Sequence, residues 1–126
     1  MLTGSCNCGG VTFTAVGTPT PPSICHCGQC RKQSGYVWSS TVVADADLSL
    51  TSDRTLNWYS SSGTAKRGFC NNCGAFLFWK HNDEDTTSIA LGALDAPTGL
   101  KVAKHIFVAD KGDYYDITDS LPQRAQ

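Results

Sequence analysis

The sequence predicts an all-β fold made of short strands. Three observations carry that prediction. Gly10-Val-Thr-Phe-Thr-Ala-Val16 alternates apolar and polar residues, which puts Val11, Phe13 and Ala15 on one face of a strand. The segments Tyr36 to Val43, Leu48 to Thr51, Thr55 to Tyr59, Ala75 to Lys80, Thr87 to Leu91 and His105 to Val108 are rich in β-branched or aromatic residues. No segment sustains the apolar period of an amphipathic helix.

Taken in order, the first strand follows directly on the first cysteines. Pro19-Thr-Pro-Pro22 then breaks the chain, and Cys27-Gly-Gln-Cys-Arg-Lys-Gln33 is the one stretch expected to make a helical turn. The later strands are separated by turn-forming runs at Ser60-Ser-Ser-Gly63, His81-Asn-Asp-Glu-Asp85 and Asp95-Ala-Pro-Thr-Gly99. None of these runs is long enough to be an interdomain linker. A chain of 126 residues fits one domain that removes roughly two-thirds of its unfolded surface from water. We therefore expect a single domain over residues 1–126, continuous from Gly4 to about Pro122.

Composition narrows the function classes. The chain is 40% hydrophobic and 17% charged, with no apolar run near the length of a bilayer span, so no membrane partner is expected. A formal net charge of -1 leaves no basic footprint for a phosphate backbone, so nucleic acid is not expected either. Met1-Leu-Thr-Gly-Ser-Cys6 has neither the basic flank nor the apolar stretch of a secretory signal, and a cytoplasmic location is expected. A reducing compartment does not sustain structural disulfides, and the odd count of 7 cysteines cannot pair completely. The cysteines therefore read as metal ligands or catalytic thiols.

Their spacing points to zinc. In Cys70-Asn-Asn-Cys73-Gly74 a tight turn presents two sulfurs to one tetrahedral ion at about 2.3 Å, and the glycine permits a backbone conformation costly to other residues. Cys6-Asn-Cys8-Gly9 supplies a second pair, and Cys25-His-Cys27-Gly-Gln-Cys30 holds the remaining three. Joining the first two pairs gives a closed, structural four-thiolate site and leaves an open three-thiolate site able to take a further ligand. A zinc-ribbon pairing of Cys27 and Cys30 with Cys70 and Cys73 is the alternative, and spacing alone does not decide between them. An iron–sulfur cluster is the rival to zinc, though the cysteine runs of ferredoxins are absent.

Around the open motif, His26 stands between two candidate ligands and is the nearest candidate proton donor. Arg31 and Lys32 follow Cys30, and Lys66 and Arg67 precede Cys70. These cations either offset thiolate charge and attract an anionic substrate or are simply solvated. His81 and His105 read as loop and strand residues outside the site. Tyr36, Trp38, Phe76, Phe78 and Trp79 read as core or sheet-face aromatics.

Three motifs carry a resemblance to a known family: Gly4-Ser-Cys-Asn-Cys-Gly-Gly-Val-Thr-Phe13, Cys25-His-Cys-Gly-Gln-Cys-Arg-Lys-Gln-Ser-Gly35 and Arg67-Gly-Phe-Cys-Asn-Asn-Cys-Gly-Ala-Phe-Leu77. His105-Ile-Phe-Val108 and Asp119-Ser-Leu-Pro122 echo the family's C-terminal end. The chain resembles the glutathione-dependent formaldehyde-activating enzymes, the Gfa-like or centromere-protein-V-like family. The resemblance implies a β-tent of short antiparallel strands around zinc-binding loops. It also implies two zinc ions per chain. Cys6, Cys8, Cys70 and Cys73 match the structural ligands, and Cys25, Cys27 and Cys30 match the catalytic ones. The implied activity is that of a carbon–sulfur lyase joining a small thiol such as glutathione to a small aldehyde. In that reading the open metal holds the thiol as thiolate. A non-catalytic zinc-stabilised binding module is the competing class, and a zinc-water hydrolase ranks last for want of a base.

Overall fold

The computed structural model describes residues 1–126. Its strands are β1 (Leu2–Ser5), β2 (Thr12–Ala15), β3 (Ser23–Cys25), β4 (Trp38–Ala44), β5 (Leu48–Ser52), β6 (Leu56–Ser60), β7 (Ala65–Cys70), β8 (Phe76–His81), β9 (Thr86–Ala90) and β10 (Lys104–Ile106). The single α-helix, α1, covers Gly28–Ser34, where the helical turn was expected. The expectation of a β-rich fold with little helix holds.

The strands form two sheets, ordered β1-β2-β5 and β10-β3-β4-β9-β8-β7-β6, and neither closes on itself. Every pairing is antiparallel except that of β3 with β10. The alternation in β2 does what it predicts. Val11, Phe13 and Ala15 are all buried and face the larger sheet, where Phe13 meets Phe78 edge to face at 5.3 Å. Val43, Leu77 and Ile89 complete this core, and two cysteines, Cys6 and Cys70, belong to it. A smaller cluster of Cys25, Cys30, Trp38 and Ala90 sits toward the β3 side of the large sheet.

Strands β1, β3 and β7 lie outside the expected set, for identifiable reasons. Glycine and serine make Leu2–Ser5 look like a turn, yet it pairs along its whole length with β2. Strand β3 has only 3 residues and follows two prolines. Strand β7, Ala65–Cys70, buries a charged residue, Arg67, on its inner face, so its polarity pattern misreads as loop. These three strands carry or adjoin Cys6, Cys25 and Cys70, so the cysteine loops are anchored at strand ends.

Candidate metal centres

Cys6 and Cys8 follow β1, Cys70 ends β7, and Cys73 lies in the turn before β8. The fold brings these four sulfurs within 4.8 Å of one another. The Cys6–Cys8 and Cys8–Cys70 sulfur separations are both 3.6 Å. A disulfide needs about 2.05 Å, whereas a tetrahedral ion with bonds of about 2.3 Å sets its sulfurs about 3.8 Å apart. The spacing therefore fits an ion and not a bridge. Backbone N–H groups support negative sulfur: Val11 donates to Cys6 at 3.3 Å, and Asn72 and Cys73 donate to Cys70 at 3.4 Å and 3.3 Å. The Thr55 hydroxyl, 3.1 Å from the Cys70 sulfur, is the leading cause of a thiol pKa well below the ordinary value. Gly9 and Gly74 both have φ of 80°, the left-handed region that lets the chain reverse behind each cysteine pair.

The second cluster is Cys25, Cys27 and Cys30, again within 4.8 Å of one another. Cys25 ends β3, and Cys27 caps α1, its sulfur accepting the Cys30 N–H at 3.4 Å. One turn of helix thus sets the Cys27–Cys30 spacing. The three thiols share their protons unequally: hydrogen bonds with Cys25 and then Cys30 pull the Cys27 pKa down strongly, while those with Cys27 and Cys30 push Cys25 up. A charge-concentrated sulfur among close neighbours suits a cation.

Of the four flanking cations, only Arg67 is turned toward a cysteine. It is 3% exposed. Its Nη1 donates to the Cys30 sulfur at 3.6 Å and to Gln33 Oε1 at 3.1 Å, while Nη2 donates to Gln29 Oε1 at 3.1 Å. Its guanidinium also lies over the Phe76 ring, which itself stacks on Trp38 at 4.3 Å. Arg31 donates instead to the Asp110 carbonyl, and Lys66 sits over Trp58.

His26 is buried, but both ring nitrogens are engaged away from the sulfurs. Nδ1 is 2.5 Å from the Tyr115 hydroxyl, and Nε2 is 2.9 Å from His105 Nδ1. His105 Nε2 in turn reaches Asp119 at 3.0 Å. One set of tautomers satisfies every member. Tyr115 donates to His26, His26 to His105, and His105 to the Asp119 carboxylate. Burial, then the nearby His105 and Lys111, lower the His26 pKa, in keeping with a neutral ring. His26 is thus a tie between the ligand loop and the C-terminal segment. The reading of it as the nearest proton donor is corrected here, because no free nitrogen faces the cluster. His105, read from sequence as outside the site, is its direct partner. Only the identity of residues far along the chain, 105, 115 and 119, decides this, and nothing local to His26 signals it.

A cavity of about 820 Å³ opens on the second cluster. All three of Cys25, Cys27 and Cys30 line it, together with Arg67, Lys104 and Arg124, whereas none of Cys6, Cys8, Cys70 and Cys73 does. Trp38 and Trp79, expected as core or sheet-face residues, also line this cavity.

A β-rich fold with one cysteine quartet, half of it in the main core, and one cavity-facing cysteine triad defines a class of small thiolate-cluster proteins with two potential metal positions. Over residues 1–110 the chain matches the family described as glutathione-dependent formaldehyde-activating enzyme, and it belongs to that family. It is 26% identical to an uncharacterized lyase of Schizosaccharomyces pombe over 121 residues, covering 92% of this chain and 85% of that protein. It is 30% identical over 86 residues to a Halomonas elongata protein provisionally named a glutathione-dependent formaldehyde-activating enzyme, covering 62% of this chain and 55% of that one. That second match spans about half of the Halomonas protein's length. A crystal structure of a Rhodobacter sphaeroides protein has the same fold, with a TM-score of 0.63 at 22% identity, covering 77% of this chain and 91% of the other. No helix is long and apolar enough to cross a membrane.

Proposed function

We propose that this chain is a cytoplasmic, zinc-dependent carbon–sulfur lyase that binds a small thiol at the Cys25–Cys27–Cys30 triad and adds it to, or releases it from, a small aldehyde. Cys6, Cys8, Cys70 and Cys73 hold a second, structural zinc, and one domain over residues 1–126 does the whole task. The observation that carries the reading is the asymmetry of the two clusters: all three triad cysteines line the cavity of about 820 Å³, whereas of the quartet only Cys6 borders a cavity, a separate one of about 700 Å³. A four-sulfur set is complete, while a three-sulfur set has room for a ligand. The family, the lyase name of the Schizosaccharomyces pombe relative and the formaldehyde-activating name of the Halomonas one support the same chemistry.

When bound at the triad, zinc supplies a Lewis acid that keeps a coordinated thiol ionised at neutral pH. The chain's own residues do the rest. Three thiolates around a divalent ion leave a net negative charge, and the buried Arg67 guanidinium beside Cys30 offsets it. Lys104 and Arg124, which also line the cavity, attract the carboxylates of an anionic thiol such as glutathione. Trp38, Trp79 and Val42 give the cavity apolar walls that keep water from the reacting sulfur. Its volume lies within the range of roughly 300–1,000 Å³ usual for small-molecule sites. In the forward direction a carbon–sulfur bond forms, and the carbonyl oxygen takes up the proton that the thiol released.

Exchange NMR on glutathione and formaldehyde tests the proposal. Zinc-loaded protein is expected to speed formation and breakdown of the adduct, and an unchanged exchange rate would refute the assignment.

A further inference from the structure

Strand β10 breaks the alternation of a regular strand at its end. Lys104 and Ile106 line the triad's cavity, while His105 between them is buried on the opposite face against His26. Continued alternation would send Phe107 to the His105 side. Instead Phe107 has φ 55° and ψ 39°, making it the one non-glycine residue of the chain with positive φ. For a bulky residue this is a genuine outlier. Across that turn Ile106 and Phe107, adjacent in sequence, both line the cavity.

Core packing does not account for this conformation, because Phe107 is 37% exposed. The backbone around it is nonetheless held on both sides by the C-terminal segment. His105 N–H donates to the Pro122 carbonyl at 2.9 Å, Arg124 N–H to the His105 carbonyl at 2.9 Å, and Val108 N–H to the Arg124 carbonyl at 3.0 Å. Strain persists where surrounding structure over-determines it, and such positions gather at ligand-handling sites.

Register shows which end of the cavity the ring covers. Ile106 pairs with Cys25, and the His26 N–H donates to the Ile106 carbonyl at 3.1 Å. Phe107 therefore stands one residue from the position opposite the first triad cysteine. Lys104, at the other end of the strand, pairs with Ser23. Phe107 thus follows the cysteine end of the cavity wall that β10 forms, and Lys104 marks its other end.

We propose that Phe107 is a specificity-determining residue, its left-handed backbone holding the ring beside the cysteine triad so that it limits the bulk of the carbonyl compound a bound thiol attacks. This rests on the thiol–aldehyde reading given above.

The test compares formaldehyde with benzaldehyde, each with glutathione and zinc-loaded protein, by exchange NMR. Phe107→Ala is expected to raise the benzaldehyde-to-formaldehyde ratio of kcat/KM about ten-fold or more, chiefly through KM. Phe107→Leu shifts it less and serves should the smaller variant fail to fold. Phe107→Gly adopts the left-handed backbone freely, so it shifts the ratio as Phe107→Ala does while raising the thermal midpoint. A ratio within roughly two-fold of wild type in all three variants overturns the proposal and leaves the reaction assignment standing. Absence of catalysed exchange by the wild-type protein with either aldehyde overturns the reaction assignment and this proposal together.

Discussion

The guanidinium of Arg67 lies 3.6 Å from the sulfur of Cys30, buried on the inner face of the large sheet and steadied by the amide oxygens of Gln29 and Gln33. A buried cation with few partners is costly on its own. Beside a cluster of thiolates its charge is matched, and it favours the ionised sulfurs that bind metal. Arg67→Met is therefore expected to weaken metal binding at the triad by about 10–100-fold, with Arg67→Lys intermediate. Competition against a chromophoric chelator measures this, and equal retention by Arg67→Met and wild type would rule out the charge-matching role.

The two cysteine clusters make opposite demands on the fold. Cys6 and Cys70 belong to the main core, so loss of a quartet ligand disturbs the packing between the sheets. Cys73→Ala is expected to prevent cooperative folding, since structural metal binding and folding are one equilibrium. Cys30→Ala is expected to stay folded and lose metal only from the triad. Circular dichroism with metal analysis separates the cases, and equal unfolding by both variants would contradict the division of roles.

Asp45 accepts hydrogen bonds from the Lys80 ammonium and, at 2.6 Å, from the Thr87 hydroxyl. Burial alone would raise its pKa. The bonds from Lys80 and Thr87 outweigh burial and hold it below the ordinary 3.8. A depressed folded pKa means that the stabilisation is fully present above that ordinary value and is lost as pH falls through the folded one. Asp45→Asn is thus expected to lower the thermal midpoint at pH 7, with the gap to wild type closing below about pH 4. Thermal melts across pH check this, and a gap that widens in acid would reverse the sign.

The Tyr115–His26–His105–Asp119 chain predicts a stability effect without loss of ligands. His105→Ala leaves the His26 N–H buried with no acceptor, at a cost of about 1–3 kcal/mol, plus lost packing. Tyr115→Phe removes only a donor and is expected to cost about 1 kcal/mol. Urea denaturation of the metal-loaded proteins measures both, and a silent His105→Ala would show that the chain is not a structural tie.

The cysteine clusters were legible because ligand spacing is local: Cys70 and Cys73 declare themselves within a single turn, and Val11, Phe13 and Ala15 declare a strand by alternation alone. What was not legible is carried by distant pairing. His26 acquires its partners from residues 105 and 115, Arg67 becomes a site residue only because β7 turns it inward, and Phe107 reaches the cavity through a backbone twist that no side-chain pattern announces. Strand β7 was hidden for the same reason, since a buried arginine whose two Nη atoms are held by two glutamines and a cysteine looks, in sequence, like a solvated one.

The central claim is that the triad has room for an external thiol while the quartet does not. Titrating cobalt(II)-loaded protein with glutathione and following the sulfur-to-metal charge-transfer absorption tests it most directly. The expected result is a saturable increase in the wild-type protein that disappears in Cys30→Ala, and a spectrum unchanged by glutathione would contradict the claim.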